Sequence, residues 1–147
     1  MREPYDEPAI LGEDLILRRI NPEFHLTLDK NFNDTRVSSQ AFKPSSDGSG
    51  LSVDIEKLIV ADGKDPKEWV TTGSFTGAVS FQAARARELD LKIGFDPIKD
   101  HAILPDNPYH GAVWGPDPTP HRISTGTQRK LLRSSTWYVE IPGVAIR

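Results

Sequence analysis

The stretch "NPYHGAVWGPDPTPHRISTGTQRK", residues 107–130, gathers the residue types best suited to chemistry in this chain. His110 stands beside Gly111 at the start of an apolar run. There an imidazole, which titrates near neutrality, can serve as general base or as a ligand-binding donor. The competing reading is a ring that only hydrogen-bonds a loop carbonyl. Further on, no acidic residue occurs between Pro118 and Tyr138. A helix starting at Thr125 would offer free N–H groups and partial positive charge to a phosphate or carboxylate. Gly126 would allow close approach, and Arg129 or Lys130 would add charge. The alternative is an ordinary capped amphipathic helix with Leu131 and Leu132 packed inward and its basic residues solvated.

A second group lies near the N-terminus. Arg18 and Arg19 are consecutive on an expected strand, so they point to opposite faces and at most one faces the core side. An arginine drawn inward needs a partner, because an unpaired buried charge is costly. Asp54, Glu140 or an anionic ligand could supply it. Ser38 and Ser39, just before Ala41-Phe42, could bring hydroxyls to the same place. His25, His101 and His121 are scattered, and no pair has the i, i+4 spacing of helical metal ligands. With no cysteine in the chain, a thiolate zinc site and a disulfide framework are excluded. No metal and no cofactor are expected. Phosphate-loop, dinucleotide-fingerprint, nucleophile-elbow and His-Glu-x-x-His motifs are all absent.

These residues need a scaffold, and 147 residues suffice for one domain with its own core. The net charge of -3 gives no global attraction to nucleic acid or to an anionic membrane. One short basic patch also lacks the interleaved aromatics of a nucleic-acid platform. No run approaches the roughly 20 apolar residues of a membrane span. "MREPYDEPAILGEDL" has no apolar segment long enough for a secretion signal, so a cytoplasmic protein is expected.

Eleven Gly and 12 Pro punctuate the chain, which implies many turns and a modest core. Residues 1–13 read as a flexible arm and 14–147 as a single domain. Strands are expected at "DLILRRI", "LSVDI", "LKIGFDPI", "YHGAVWG" and "WYVEI", where apolar residues alternate with polar ones. "HLTL" is a further short candidate, and "RVSSQAF" reads as strand or turn. "DIEKLIVADG" either prolongs its strand or begins a short helix that Gly63 ends, and "ADGKDPKEW" reads as loop. Two main helices are expected. One spans "TGAVSFQAARARELDL", and the other "STGTQRKLLRSSTW", opened by a Thr125/Gln128 capping box. Strands and helices without regular alternation predict an α+β fold: a small mixed or antiparallel sheet, two main helices and long loops.

At "LRRINP", "RVSSQAF", "LSVDI" and "DPIKDHAILPDNPYHGAVWG" the chain resembles a group of small bacterial proteins of uncharacterised function. The resemblance runs from about Leu17 to Trp137 and implies a bacterial origin and one domain, without an activity.

Two functions fit these observations. The first is a non-catalytic binding or accessory subunit of a bacterial multi-protein system, with another protein as its partner. The second is a small enzyme acting on a nucleotide or other phosphate-bearing ligand. There His110 would be the catalytic residue, while Arg18, Arg19, Ser38, Ser39, Thr125, Gly126, Arg129 and Lys130 would hold the anionic small molecule. The enzyme requires the arginines, the serines and His110 to converge on one concave pocket.

Overall fold

The computed structural model describes residues 3–116, 118 and 121–147. Its centre is a six-stranded antiparallel sheet built from β1 (Leu15–Ile20), β4 (Leu51–Ile55), β5 (Gly77–Gln82), β6 (Lys92–Phe95), β7 (His110–Trp114) and β8 (Thr136–Val139). The strand order is β6-β7-β4-β1-β5-β8. A three-stranded sheet pairs β2 (Leu26–Asp29) antiparallel with β3 (Asp34–Val37), which pairs parallel with β9 (Val144–Ala145). The described helices are α1 (Pro22–His25), α2 (Glu56–Ala61), α3 (Pro66–Trp69), α4 (Ala83–Glu88) and α5 (Thr125–Arg133). A 3-10 turn covers Ser39–Phe42. The fold is α+β, but its main sheet is larger than expected and its helices are more numerous and shorter.

The difference lies mainly in β5 and α3. Residues 77–82, expected to begin a long helix, form β5, which lies between β1 and β8 inside the sheet. Gly77, Ala78, Val79, Ser80 and Phe81 are all buried, so the strand lacks the polar–apolar alternation by which a half-exposed strand is recognised. Only Ala83–Glu88 is helical. The cap of α5 is Ser124 rather than Thr125: its Oγ accepts from the Thr127 N–H at 3.2 Å. Gln128 does not close a capping box. It is buried, and its Nε2 donates to the Ile123 carbonyl at 2.8 Å. The loop expected at "ADGKDPKEW" contains α3, whose Asp65 cap and Pro66 first position are strong helix-start signals.

The two faces of the large sheet are covered unequally. On one face Ile16, Ile20, Val53, Ile55, Val79, Phe81, Ile93 and Val113 meet Phe42, Ala86, Leu131 and Leu132 in the main core. On the other face Leu17 and Ala78 pack with Ile59, Val70 and Tyr109 in a smaller cluster under α2 and α3. That cluster does not extend across the face, and the strands beside it carry polar residues.

Within the expected arm, residues 5–7 lie along β6. The Tyr5 hydroxyl accepts from Phe95 N–H at 2.8 Å, and Glu7 N–H donates to the Ile93 carbonyl at 2.8 Å. Asp6 pairs with Arg87, and Ile10 is fully buried in the main core.

Candidate functional site

The site begins where strand pairing stops. β1 and β4 pair at only two positions, Ile16 with Ile55 and Leu17 with Asp54. Beyond them the strands separate, and the backbone of β4 needs another partner. Arg18 provides it. By alternation Arg18 shares the main-core face with Ile16 and Ile20. Its Nη1 donates to the Ser52 carbonyl at 2.9 Å, and its Nε donates to the Ala41 carbonyl at 2.8 Å. Both partners are neutral, and Arg18 forms no ion pair among the described residues. Burial pushes its pKa down to about 10, partly offset by Asp54, which still leaves it cationic at neutral pH.

Arg19 points to the opposite face and pairs with Asp54, one of the partners considered for an inward arginine. Its Nε and Nη2 donate to Asp54 Oδ2 and Oδ1 at 2.9 and 3.4 Å, and Nη1 reaches Thr72 Oγ1 at 3.3 Å. The guanidinium also lies 5.7 Å from the Phe75 ring centre. Asn107 Nδ2 donates to Asp54 Oδ1 at 2.8 Å. Asp54 is therefore buried with its charge and both oxygens satisfied, an arrangement in which removing one partner would leave the other stranded.

His110 sits directly opposite Asp54 across the β4–β7 ladder, which places the two side chains on one face. Its Nδ1 is 2.7 Å from the Asp96 carbonyl oxygen, so in the neutral ring this nitrogen carries the proton and donates. The Asp96 carboxylate is 3.8 Å from the same nitrogen. Nε2 is then the acceptor; it is buried and has no hydrogen-bond partner. A backbone carbonyl that fixes the tautomer and leaves the far nitrogen unpaired meets one of the requirements of a general base.

Arg18, Arg19, Asp54, Asn107 and His110 line one cleft of about 530 Å³, together with Ser52 and Thr72. Its remaining walls come from Val53, Trp69, Phe75, Ile98, Leu104 and Pro105, with Asp106 at their side. A mostly apolar concavity with a few converging polar groups is the usual character of a small-molecule site. Residues 98–107 form one wall as a loop closed at its base by the pairing of Ile98 with Asn107.

Four of the residues singled out from sequence thus come together: Arg18, Arg19, Asp54 and His110. Ser38 and Ser39 do not join them. Ser38 caps the 3-10 turn by accepting from Gln40 N–H, and Ser39 begins that turn. Thr125, Gly126, Arg129 and Lys130 lie on α5, which packs against the 3-10 turn, and none of them lines the cleft. Glu140, the other carboxylate considered for the arginines, borders a separate depression with Trp137 and Arg147. Trp69, Thr72, Phe75 and Asn107 were not singled out. Asn107-Pro108 reads as punctuation, and Trp69 and Phe75 belong to a segment whose only strong signals are turns and a cap. Among the described residues no cluster of three or more His, Cys, Asp and Glu could hold a metal ion, and no helix is long and apolar enough to cross a membrane. Compared with protein-family models, curated proteins and solved structures, the chain matches none of them.

Proposed function

We propose that the chain is a small enzyme acting on a phosphate-bearing ligand held in this cleft, with Arg18 binding the anion and His110 acting as general base. The observation that carries the reading is the pairing of two unmet demands on one cavity. Arg18 is a partly buried cation whose hydrogen bonds go to neutral carbonyls, and His110 is a buried imidazole whose Nε2 lacks a partner. A buried charge is stabilised by an opposite charge, and an anionic ligand at Arg18 would supply it. A hydroxyl or water bound beside the ligand would lose its proton to Nε2, while the Asp96 carbonyl holds the resulting imidazolium through Nδ1–H. Arg19 plays a different part: neutralised by Asp54, it shapes the cleft rather than attracting the anion.

A thermal-shift screen against phosphate, phosphosugars and nucleotides tests this. A ligand at 100 times its dissociation constant adds about 2.7 kcal/mol to stability. The expected result is a shift that Arg18→Gln removes and His110→Gln retains, with turnover lost in the latter. A shift that survives Arg18→Gln, or none with any anion, contradicts the reading.

A second reading, an accessory subunit that docks on another protein, has its own observation. β2 is an edge strand of the three-stranded sheet; Leu28 on it, Phe24 on the preceding α1 and Phe32 in the following turn are 62%, 67% and 64% exposed. Unpaired edges with apolar side chains favour association. Loss of a co-purifying chain in Leu28→Asp, with cleft ligands unaffected, would favour that reading.

A further inference from the structure

The loop at residues 98–107 is built as a flap on a neck. At its base Ile98 and Asn107 exchange two backbone hydrogen bonds, of 2.9 and 2.8 Å, and the Asn107 side chain is fixed to Asp54. Pro97 and Pro108 flank that base and restrict the backbone on either side. The tip is braced from within. His101 Nδ1 accepts from the Ile103 and Leu104 N–H groups, both at 3.0 Å, and Asp106 Oδ1 accepts from the Asp100 N–H at 3.0 Å. Among the described residues, no hydrogen bond or ion pair joins residues 99–106 to the rest of the chain, and all of them are exposed. A braced tip on a short neck moves as one piece, with a few backbone angles at the neck absorbing the change.

The tip presents apolar side chains to water. Ile103 is 87% exposed, more than any other large apolar residue among those described. Its neighbour Leu104 is 48% exposed and lines the cleft. Trp69, Phe75, Ile98 and Pro105 form an apolar wall in that same cleft, which the tip would cover on closing. Closing over an empty cleft would take the Arg18 guanidinium further from water with only neutral carbonyls as partners, which is costly. An anion at Arg18 removes that cost, so closure is favoured once the anion is in place.

We propose that residues 99–106 form a lid that closes over the anion-loaded cleft and brings Ile103 against the ligand and the apolar wall. The inference rests on the cleft being the anion site. It adds a binding residue, Ile103, that does not line the open cleft. Closure also excludes water from His110, so that proton transfer to Nε2 takes place where electrostatic contacts are stronger.

Two measurements with AMP and phenyl phosphate as probes test the lid on the full chain. By isothermal titration, Ile103→Ser should weaken the tighter-binding probe about tenfold or more, the effect of burying one Ile side chain. The Tm of the free variant should not fall, because Ile103 is exposed before the probe is added. The chain has no cysteine, so Ala102→Cys offers a single thiol for bimane, a fluorophore that tryptophan quenches at contact. Emission should fall as the probe is added, and Trp69→Phe should abolish that fall. Arg18-dependent binding with unchanged emission, or binding indifferent to Ile103→Ser, would overturn the lid and leave the anion site standing. A fall in emission that persists in Trp69→Phe would also overturn it, since the tip would then close elsewhere. No binding by either probe would remove both the lid and the anion site.

Discussion

The two faces of the six-stranded sheet are made by the same strands and differ in what lies over them. On the main-core face, side chains from β1, β4, β5, β6 and β7 are sealed by α4, α5 and the 3-10 turn, with Phe42, Leu131 and Leu132 almost fully buried. On the other face, a smaller cluster around α2 and α3 buries Leu17, Ala78 and Tyr109, with Leu15, Tyr138 and Val139 partly buried against it. The remaining ground holds Arg19, Asp54, Asn107 and His110, arranged so that most polar atoms are satisfied and a few are not. One face stabilises the fold and the other holds the candidate chemistry. Arg18 connects them: it is tied to the Ala41 carbonyl on the core side and to the Ser52 carbonyl of β4, and it also lines the cleft.

The contrast is open to test, and the largest effect belongs to the sealed face. Phe42 is fully buried and meets Phe81 edge to face at 6.3 Å. Phe42→Ala should cost about 3–5 kcal/mol in urea unfolding, without altering cleft binding in the fraction that stays folded. A cost below about 1 kcal/mol would mean that this face is not the source of stability.

On the cleft face, Asp54→Ala should cost about 2–3 kcal/mol. It strands the Arg19 guanidinium, one-fifth exposed, and the Asn107 amide. Replacing both members, in Arg19→Leu with Asp54→Leu, should recover much of that loss, because the charge pair defends itself more than it stabilises the fold. Equal losses in the single and the double variant would contradict this account of the pair.

A third effect depends on pH. His25 accepts the Asn21 N–H through Nδ1 at 2.9 Å and must be neutral to do so. Burial, reinforced by Arg18, lowers its pKa to about 4, against about 6.5 unfolded. The unfolded chain therefore binds this proton first. The stabilisation is complete above about pH 6.5 and is lost as the pH falls toward 4. Because the ring is partly solvated, the loss should be only about 1–2 kcal/mol. His25→Gln should flatten that part of the stability–pH curve, and an unchanged slope would show that another group titrates there.

The smallest effect concerns the N-terminal segment. Tyr5→Phe removes the hydroxyl that accepts from Phe95 N–H and should cost about 1 kcal/mol. It should also speed amide exchange at Glu7 and Ile10, which donate within this segment and to β6. Exchange at the random-coil rate in the unmodified chain would support a flexible arm at residues 3–13.

Legibility from sequence followed the same division. The consecutive arginines on an alternating strand called for a partner for whichever turned inward, with Asp54, Glu140 or an anionic ligand as candidates; the fold gives Asp54 to Arg19, while Arg18 on the main-core face bonds to the Ala41 and Ser52 carbonyls. His110 was legible because it opens a strand after an Asn-Pro turn. β5 was not, since a strand buried on both faces shows no alternation, and its Ala and Phe residues also fit a helical stripe. The Thr125 helix start attracted attention for its charge and lack of acids. Charge alone does not say which face of the molecule a helix occupies, and α5 covers the main core. Trp69 and Phe75 were silent for the opposite reason: their role depends on which strand ends face them, and strand order is not encoded in local pattern.

The most direct test of the cleft as the working site is a long-range ¹H–¹⁵N spectrum of the His110 imidazole, recorded free and with AMP. The account predicts a neutral ring protonated at Nδ1, held by the Asp96 carbonyl, with the Nε2 resonance moving as nucleotide is added and remaining still in Arg18→Gln. A ring protonated at Nε2, or one whose nitrogens ignore the nucleotide, would contradict it.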